Sequence, residues 1–160
     1  MAEVFILLGG NVGDKCKIFT KTREMINDRI GNLTKSSSIY VTEPWGFDSE
    51  LFWNQALVVE TRLLPLEILD VAQSIETTMG RIKTSKYYEP RTMDIDLLFY
   101  DDLLLDTPRL TLPHPKIAER RFVLVPLNEI EPYKRHPVIG LTISELLISC
   151  TDLLKVEKLP

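Results

Sequence analysis

The first apolar run, Val4-Phe5-Ile6-Leu7-Leu8, is unbroken and stops at Gly9-Gly10-Asn11, which predicts a buried strand over residues 3–8 followed by a glycine turn. From about Asp14 the period changes. Ile18, Phe19, Thr22, Met25, Ile26 and Ile30 recur at helical spacing, and Gly31 is expected to end that helix in a left-handed conformation. Residues 33–41, rich in Ser, Thr and β-branched side chains, and residues 55–62 predict two strands on either side of a loop over 42–54. Pro65 opens a second helix, along which Ile68, Leu69, Ala72, Ile75 and Met79 repeat before Gly80 closes it. Residues 93–100 return to a strand, bounded by Asp101-Asp102.

This order is the split βαβ arrangement, so the expected class is α+β: a ferredoxin-like βαββαβ antiparallel sheet with two helices on one face. C-terminal helical additions are expected from a helix over 122–130 and from a last helix opened by the capping box Thr142-Ile143-Ser144-Glu145. With no repeat, linker or low-complexity segment, residues 1–160 read as a single domain.

Composition narrows the functional classes. An apolar fraction of 44% and a charged fraction of 26% are those of an ordinary globular protein. Cys16 and Cys150 form no C-x-x-C pair and have no histidine at metal-binding spacing, which argues against a disulfide framework or structural zinc and for a reduced, cytoplasmic setting. The apolar start is too short for a membrane span and lacks the basic region of a signal peptide. A net charge of −4 offers no general attraction for nucleic acid, which is not an expected partner. No membrane partner is expected either, and the chain is expected to be a monomer.

Candidate chemistry is concentrated in Asp94-Ile95-Asp96. A strand sends both carboxylates to one face, with Cα atoms roughly 6.6 Å apart at two strand rises. Two carboxylates on one face repel, and a hard cation such as Mg²⁺ relieves them while drawing its remaining ligands from phosphate oxygens. A D-x-D also fits an ordinary solvated strand face; what distinguishes this one is the preceding segment, residues 81–91, with Arg81, Lys83, Lys86 and Arg91 against the single acid Glu89. Cations and carboxylates converging in this way suit a metal-bound nucleoside triphosphate. His114, Lys116, Arg120 and Arg121 form a second basic group, within which sequence cannot assign one phosphate contact to Arg120 or Arg121.

The loop over 42–54 carries Trp45, Phe47, Phe52 and Trp53, which could sandwich a flat ligand or simply cover the core, and Asn54, whose amide offers a donor and an acceptor to a heterocycle edge. Gln73 and Glu76 share a helix face and could meet an adenine or a ribose. The turn Gly9-Gly10-Asn11-Val12-Gly13-Asp14 lacks the Lys-Ser/Thr of a P-loop and reads as a flexible turn or lid.

Gly80-Arg81, Pro90-Arg91-Thr92-Met93-Asp94-Ile95-Asp96-Leu97-Leu98 and Leu112-Pro113-His114-Pro115, in this order, resemble the 6-hydroxymethyl-7,8-dihydropterin pyrophosphokinase family of folate biosynthesis. The resemblance implies a ferredoxin-like fold, ATP as cosubstrate with two Mg²⁺ ions, 6-hydroxymethyl-7,8-dihydropterin as acceptor, and AMP as by-product. It implies Asp94 and Asp96 as metal ligands and, with Arg81 and Arg91, as the catalytic set. Gln73, Glu76, Arg81, Lys83, Arg91, Ile95, His114 and Arg120 are implied as nucleotide contacts. Thr42, Pro44, Trp45, Phe52, Asn54, Asp94 and Phe122 are implied around the pterin, with Phe52 and Phe122 sandwiching the ring. The chain departs from the family pattern at Tyr88-Glu89, where Trp-Gly is common, and at Gly10, where serine is frequent.

Two other classes stand beside this one. A nucleotidyltransferase would release diphosphate, but its glycine turn should lie shortly before the D-x-D, whereas Gly9-Gly10 lies far upstream. A ligand-sensing module on the same fold would need no D-x-D beside an arginine-rich segment.

Overall fold

The computed structural model describes residues 1–42, 51–80 and 92–160. Strand β1 (Ala2–Gly10) is an interior strand of an antiparallel sheet. It pairs on one side with β4 (Phe52–Thr61) and on the other with β5 (Asp94–Tyr100). Beyond β4 lie β2 (Gly31–Ser36) and β3 (Tyr40–Thr42), which share its outer edge, and the short β8 (Glu157–Lys158) closes the sheet against β3. A separate two-stranded ribbon joins β6 (Leu105–Asp106) to β7 (Thr111–Leu112).

The unbroken apolar run of β1 has a direct cause: both faces of the strand are covered. Val4, Ile6 and Leu8 pack with Leu57, Val59, Ile95 and Leu97 against α1 (Lys15–Arg29) and α2 (Pro65–Gly80). Phe5 and Leu7 pack with Ala56, Val58, Leu98 and Phe99 against α3 (Arg121–Ile130) and α4 (Ile143–Ser149). A bulge between Phe5 and Ile6 sends both Leu98 and Phe99 to the second cluster. The apolar faces expected for the first two helices are the buried ones. Asp14 caps α1 by accepting from the Lys17 amide at 3.2 Å. Thr142 and Glu145 form the expected capping box of α4.

Three expectations change. Gly31 is not a left-handed stop: it begins β2, where a Cβ would sit 2.1 Å from the Glu60 carbonyl oxygen, so close strand approach is what requires glycine there. The strand expected over 33–41 is two, because Ser37 leaves the ladder, its hydroxyl accepting from the Ala56 amide at 2.9 Å and its carbonyl from Gln55 Nε2 at 2.7 Å. Gly9 and Gly10 belong to β1, and the turn begins only after them, with Gly13 at φ +75°. A Cβ on Gly10 would lie 2.5 Å from the Thr92 carbonyl oxygen, so the close approach of that backbone requires glycine there.

Glu129 ties α3 to the far edge of the sheet. Its carboxylate accepts from the Ser38 amide at 2.8 Å and the Tyr40 hydroxyl at 2.7 Å, and Lys158 lies 3.8 Å away. Burial and the bond to Glu129 push the Tyr40 phenol up to about 12, so it stays a donor. Burial alone would raise the Glu129 carboxyl, but the bonds from Tyr40 and Ser38, with Lys158 nearby, hold it below the ordinary range. Cys16 and Cys150 are free thiols, and among the described residues no helix is long and apolar enough to cross a membrane.

His136 sits beneath α3 and α4 with its ring edge-on to Phe99 at 5.6 Å, and its Nδ1 accepts from the amides of Val138 and Ile139. Burial, assisted by Lys134, lowers its pKa below 6.5. The unfolded chain therefore binds more protons than the folded one in the window below that value, and stability should rise with pH up to about 6.5 and level off above it. His136→Asn keeps an acceptor near the Nδ1 position and removes the titration. Its urea midpoint should vary less than that of the wild type between about pH 5.5 and 7.5, the residual slope including His114.

Candidate active site

Residues of one parity on each strand share a sheet face. On the α3/α4 side these are Phe5, Leu7 and Gly9 of β1, Phe52, Asn54, Ala56 and Val58 of β4, and Asp94, Asp96 and Leu98 of β5. Toward the start of β5 this face opens into a cavity of about 290 Å³. Its described lining is Leu7, Gly9, Thr42, Phe52, Asn54, Asp94 and Asp96 from the sheet, Arg120 and Phe122 from the start of α3, and Leu154 from the C-terminal segment.

The floor is set by strand register. Gly9 stands opposite Asp94 on one side and Asn54 on the other, and Asn54 in turn opposite Tyr40. Asn54, 6% exposed, donates its amide to the Leu8 carbonyl at 3.2 Å and so lies across β1. A Cβ on Gly9 would come within 2.9 Å of that amide nitrogen, so glycine keeps the floor flat and Asn54 in place. Phe52 faces the cavity, while its neighbour Trp53 faces the opposite side, packing edge-on to Phe19 at 5.8 Å. Strand alternation thus gives the two aromatics different fates, one as cavity wall and the other as core cover. Both, with Asn54, belong to β4 rather than to the expected loop.

Asp94 and Asp96, both half-buried, project into the cavity. Ile95 between them turns its side chain into the α1/α2 core, and its amide donates to Glu76 Oε2 at 2.8 Å. Glu76 thereby clamps the outer edge of β5 to α2 at the residue separating the two aspartates. No cluster of three or more His, Cys, Asp or Glu exists among the described residues. Two carboxylates that leave the rest of a cation's shell to water or ligand oxygens are a donor set that suits Mg²⁺.

His114 follows the ribbon strand β7, its amide donating to the Leu98 carbonyl at 2.9 Å. Burial lowers its pKa against the pull of the Asp96 carboxylate, and Arg120 and Lys116 lower it further. Its Nδ1 accepts from the Lys116 amide at 3.1 Å, so the neutral ring carries its proton on Nε2. The fold separates the two arginines. Arg120 enters the cavity, with its guanidinium 5.6 Å from the Phe122 ring centre. Arg121 turns away, its Nε donating to the Leu154 carbonyl at 3.2 Å.

The family model for 7,8-dihydro-6-hydroxymethylpterin-pyrophosphokinase (HPPK) matches residues 5–132. The chain belongs to the HPPK family. It is 38% identical over 141 residues to the 2-amino-4-hydroxy-6-hydroxymethyldihydropteridine pyrophosphokinase of Porphyromonas gingivalis, covering 86% of this chain and 95% of that protein. It is 38% identical over 139 residues to the enzyme of the same name from Aquifex aeolicus, covering 86% of each. Among solved structures, the wild-type HPPK-DHPS of Plasmodium falciparum with SDX-DHP superposes with a TM-score of 0.72 at 18% identity over 93% of this chain. This chain spans 43% of that longer one, and the likeness carries the fold alone. Family membership makes this chain a transferase of the pyrophosphokinase class, which sets aside the nucleotidyltransferase and the binding-module alternatives.

Against the HPPK pattern, the structure gathers Thr42, Phe52, Asn54, Asp94, Asp96, Arg120 and Phe122 around one cavity. Gln73 and Glu76 are not in it: they lie on α2, across the outer edge of β5, where Arg109 reaches Asp70 at 2.6 Å and Gln73 at 3.4 Å. Pro44, Trp45, Arg81, Lys83 and Arg91 lie outside the described residues. Sequence reading missed Leu7, Gly9 and Leu154 as lining. Leu7 and Gly9 were hidden inside an apolar strand pattern, and Leu154, one of two adjacent leucines, carries no local signal that separates it from Leu153.

Gly9→Ala should drive the Asn54 amide off the Leu8 carbonyl and cost about 1–3 kcal/mol in urea unfolding. The same change in an Asn54→Ala background should cost distinctly less, because the clashing group is gone; additive costs would rule out the contact.

Proposed function

We propose that the chain transfers diphosphate from ATP to the hydroxymethyl group of 6-hydroxymethyl-7,8-dihydropterin, releasing AMP and the pterin diphosphate in folate biosynthesis. The observation that carries this reading is the cavity in which Asp94 and Asp96 share a floor with Asn54, between Phe52 and Phe122, within an HPPK-family chain. The strand order β5-β1-β4-β3 with α1 and α2 on one face supports a ferredoxin-like frame, to which α3 and α4 are C-terminal additions on the other. We read residues 1–160 as a single, monomeric, cytoplasmic domain.

In this reading the flat pterin lies between Phe52 and Phe122, where two ring faces supply stacking area, and the Asn54 amide reads its polar edge. Thr42, with Pro44 and Trp45 of the segment that follows it, completes the ring site. Asp94 and Asp96 hold two Mg²⁺ ions, which when bound neutralise phosphate charge. Arg120 extends from the cavity toward the triphosphate, and Arg81, Lys83 and Arg91 are assigned to the same anion. His114, neutral at pH 7, donates from Nε2 to a phosphate oxygen rather than adding charge. Gln73, Glu76 and the backbone at Ile95 face the adenosine side across the β5 edge.

The hydroxymethyl oxygen forms a bond to the β-phosphorus as the bridge to the α-phosphate breaks, AMP leaves with the bridging oxygen, and the alcohol's proton is released. Asp96 or water takes it up. The chain's contribution is chiefly positioning and charge neutralisation. Asp96→Ala should lower AMP formation from ATP, Mg²⁺ and the pterin by at least about 100-fold while pterin binding, measured calorimetrically, survives. Near-normal AMP release by this variant would sink the assignment, and omission of any one component should silence the wild-type assay.

A further inference from the structure

The family match ends at residue 132, yet the cavity has a wall beyond it. Leu154 is the one described lining residue that comes from the C-terminal segment, and it stands in the same cavity as Phe52, Asn54 and Phe122. The segment is extended, with Asp152, Leu154 and Val156 turned inward and Leu153, 95% exposed, turned out.

Its course is held at both ends. At the first, helix α3 has no side-chain cap of its own at Arg120, and the carboxylate of Asp152 takes that place. One oxygen accepts from the Arg121 amide at 3.0 Å, satisfying an orphan donor at the positive end of the helix. The other accepts from the Leu154 amide at 3.0 Å, while Arg121 Nε donates to the Leu154 carbonyl at 3.2 Å. The Leu154 carbonyl is thus bound to Arg121, one position before Phe122, and the Leu154 amide to the carboxylate that caps the same helix. At the second end β8 pairs with β3, where Tyr40 stands opposite Lys158 and Val41 opposite Glu157, and the Leu159 amide donates to the Ile39 carbonyl at 2.8 Å. Strand β3 ends at Thr42, itself a lining residue.

We propose that Leu154 is a specificity-determining residue of the heterocycle site, an apolar wall that contacts the pterin ring and contributes nothing to the nucleotide, with Asp152 and Arg121 as its positioning residues. The inference rests on the functional reading above. A branched aliphatic side chain beside a stacked ring removes water from its edge and limits the width of the rings admitted.

The test is steady-state kinetics of AMP release with the full-length chain, varying the pterin at saturating ATP and Mg²⁺ and then ATP at saturating pterin, with a urea midpoint for every variant. Leu154→Ala should raise KM for the pterin about tenfold with KM for ATP and the urea midpoint unchanged. Leu154→Met should restore most of the loss, and Asp152→Ala, which releases the clamp, should raise the pterin KM as well. A pterin KM within about twofold of wild type in Leu154→Ala overturns the inference, as does a parallel rise of both KM values with a lowered midpoint. A wild-type chain that forms no AMP overturns the functional reading itself, an outcome separable from the first two because it appears before any substitution is made.

Discussion

The candidate site depends on the pairing of β1 with β4 and β5 through a single glycine. At Gly9 the two ladders meet, so that Asp94, Gly9 and Asn54 form one row across three strands. Because side chains in a strand repeat every second residue, this register puts the second aspartate, Asp96, and the aromatic Phe52 on the same face as Asn54. A slip of one residue in either ladder would exchange Asp94 and Asp96 for Ile95, or Asn54 and Phe52 for Trp53. It would also place carboxylates in the α1/α2 core. The burial of Val4, Ile6 and Leu8 on one face and Phe5 and Leu7 on the other forbids such a slip, and the apolar core thereby positions the polar chemistry.

The cover of the two sheet faces divides the work. On one side α1 and α2 make an apolar layer, and α2 reaches round the edge of β5 through Glu76 to hold the Ile95 amide. On the other, α3 presents Arg120 and Phe122 over the cavity from its first turn. The helix is held at both ends by groups far away in sequence: Asp152 caps its start, and Ser38 and Tyr40 bind Glu129 near its end. The cavity walls are consequently linked to strand β3 and the C-terminal segment by hydrogen bonds to carboxylates, among the stronger kinds available to a protein.

Charge around the cavity is graded. The acidic pair lies on the floor, Arg120 beside it, and His114 is kept neutral mainly by burial in spite of the nearby Asp96. A neutral imidazole with its proton on Nε2 can approach an anion as a donor without opposing a cation held by the carboxylates. The proposed chemistry needs this separation, with negative charge confined to two side chains and donors arranged about them.

Much of this was legible in the linear chain. The apolar periods located β1, α1, α2 and β5, because burial on one or two faces leaves a period in sequence. The D-x-D and the segments around it identified the family, because a short strand with carboxylates at alternate positions carries its geometry locally. What tertiary structure alone decided are relations between residues distant in the chain. Gly31 looked like a helix stop but is glycine for the sake of the Glu60 carbonyl on a neighbouring strand. Phe52 and Trp53 are alike in composition and were separable only once the β4 register was set. Arg120 and Arg121, adjacent and chemically identical, were separated by what each meets across the fold, a cavity in one case and the Leu154 carbonyl in the other. Leu154 itself is an ordinary residue in sequence, and its position in the cavity comes from a capping carboxylate and a two-residue strand that no local pattern encodes. Local chemistry and period are written along the chain; which groups face one another depends on packing and register, which are properties of the folded whole.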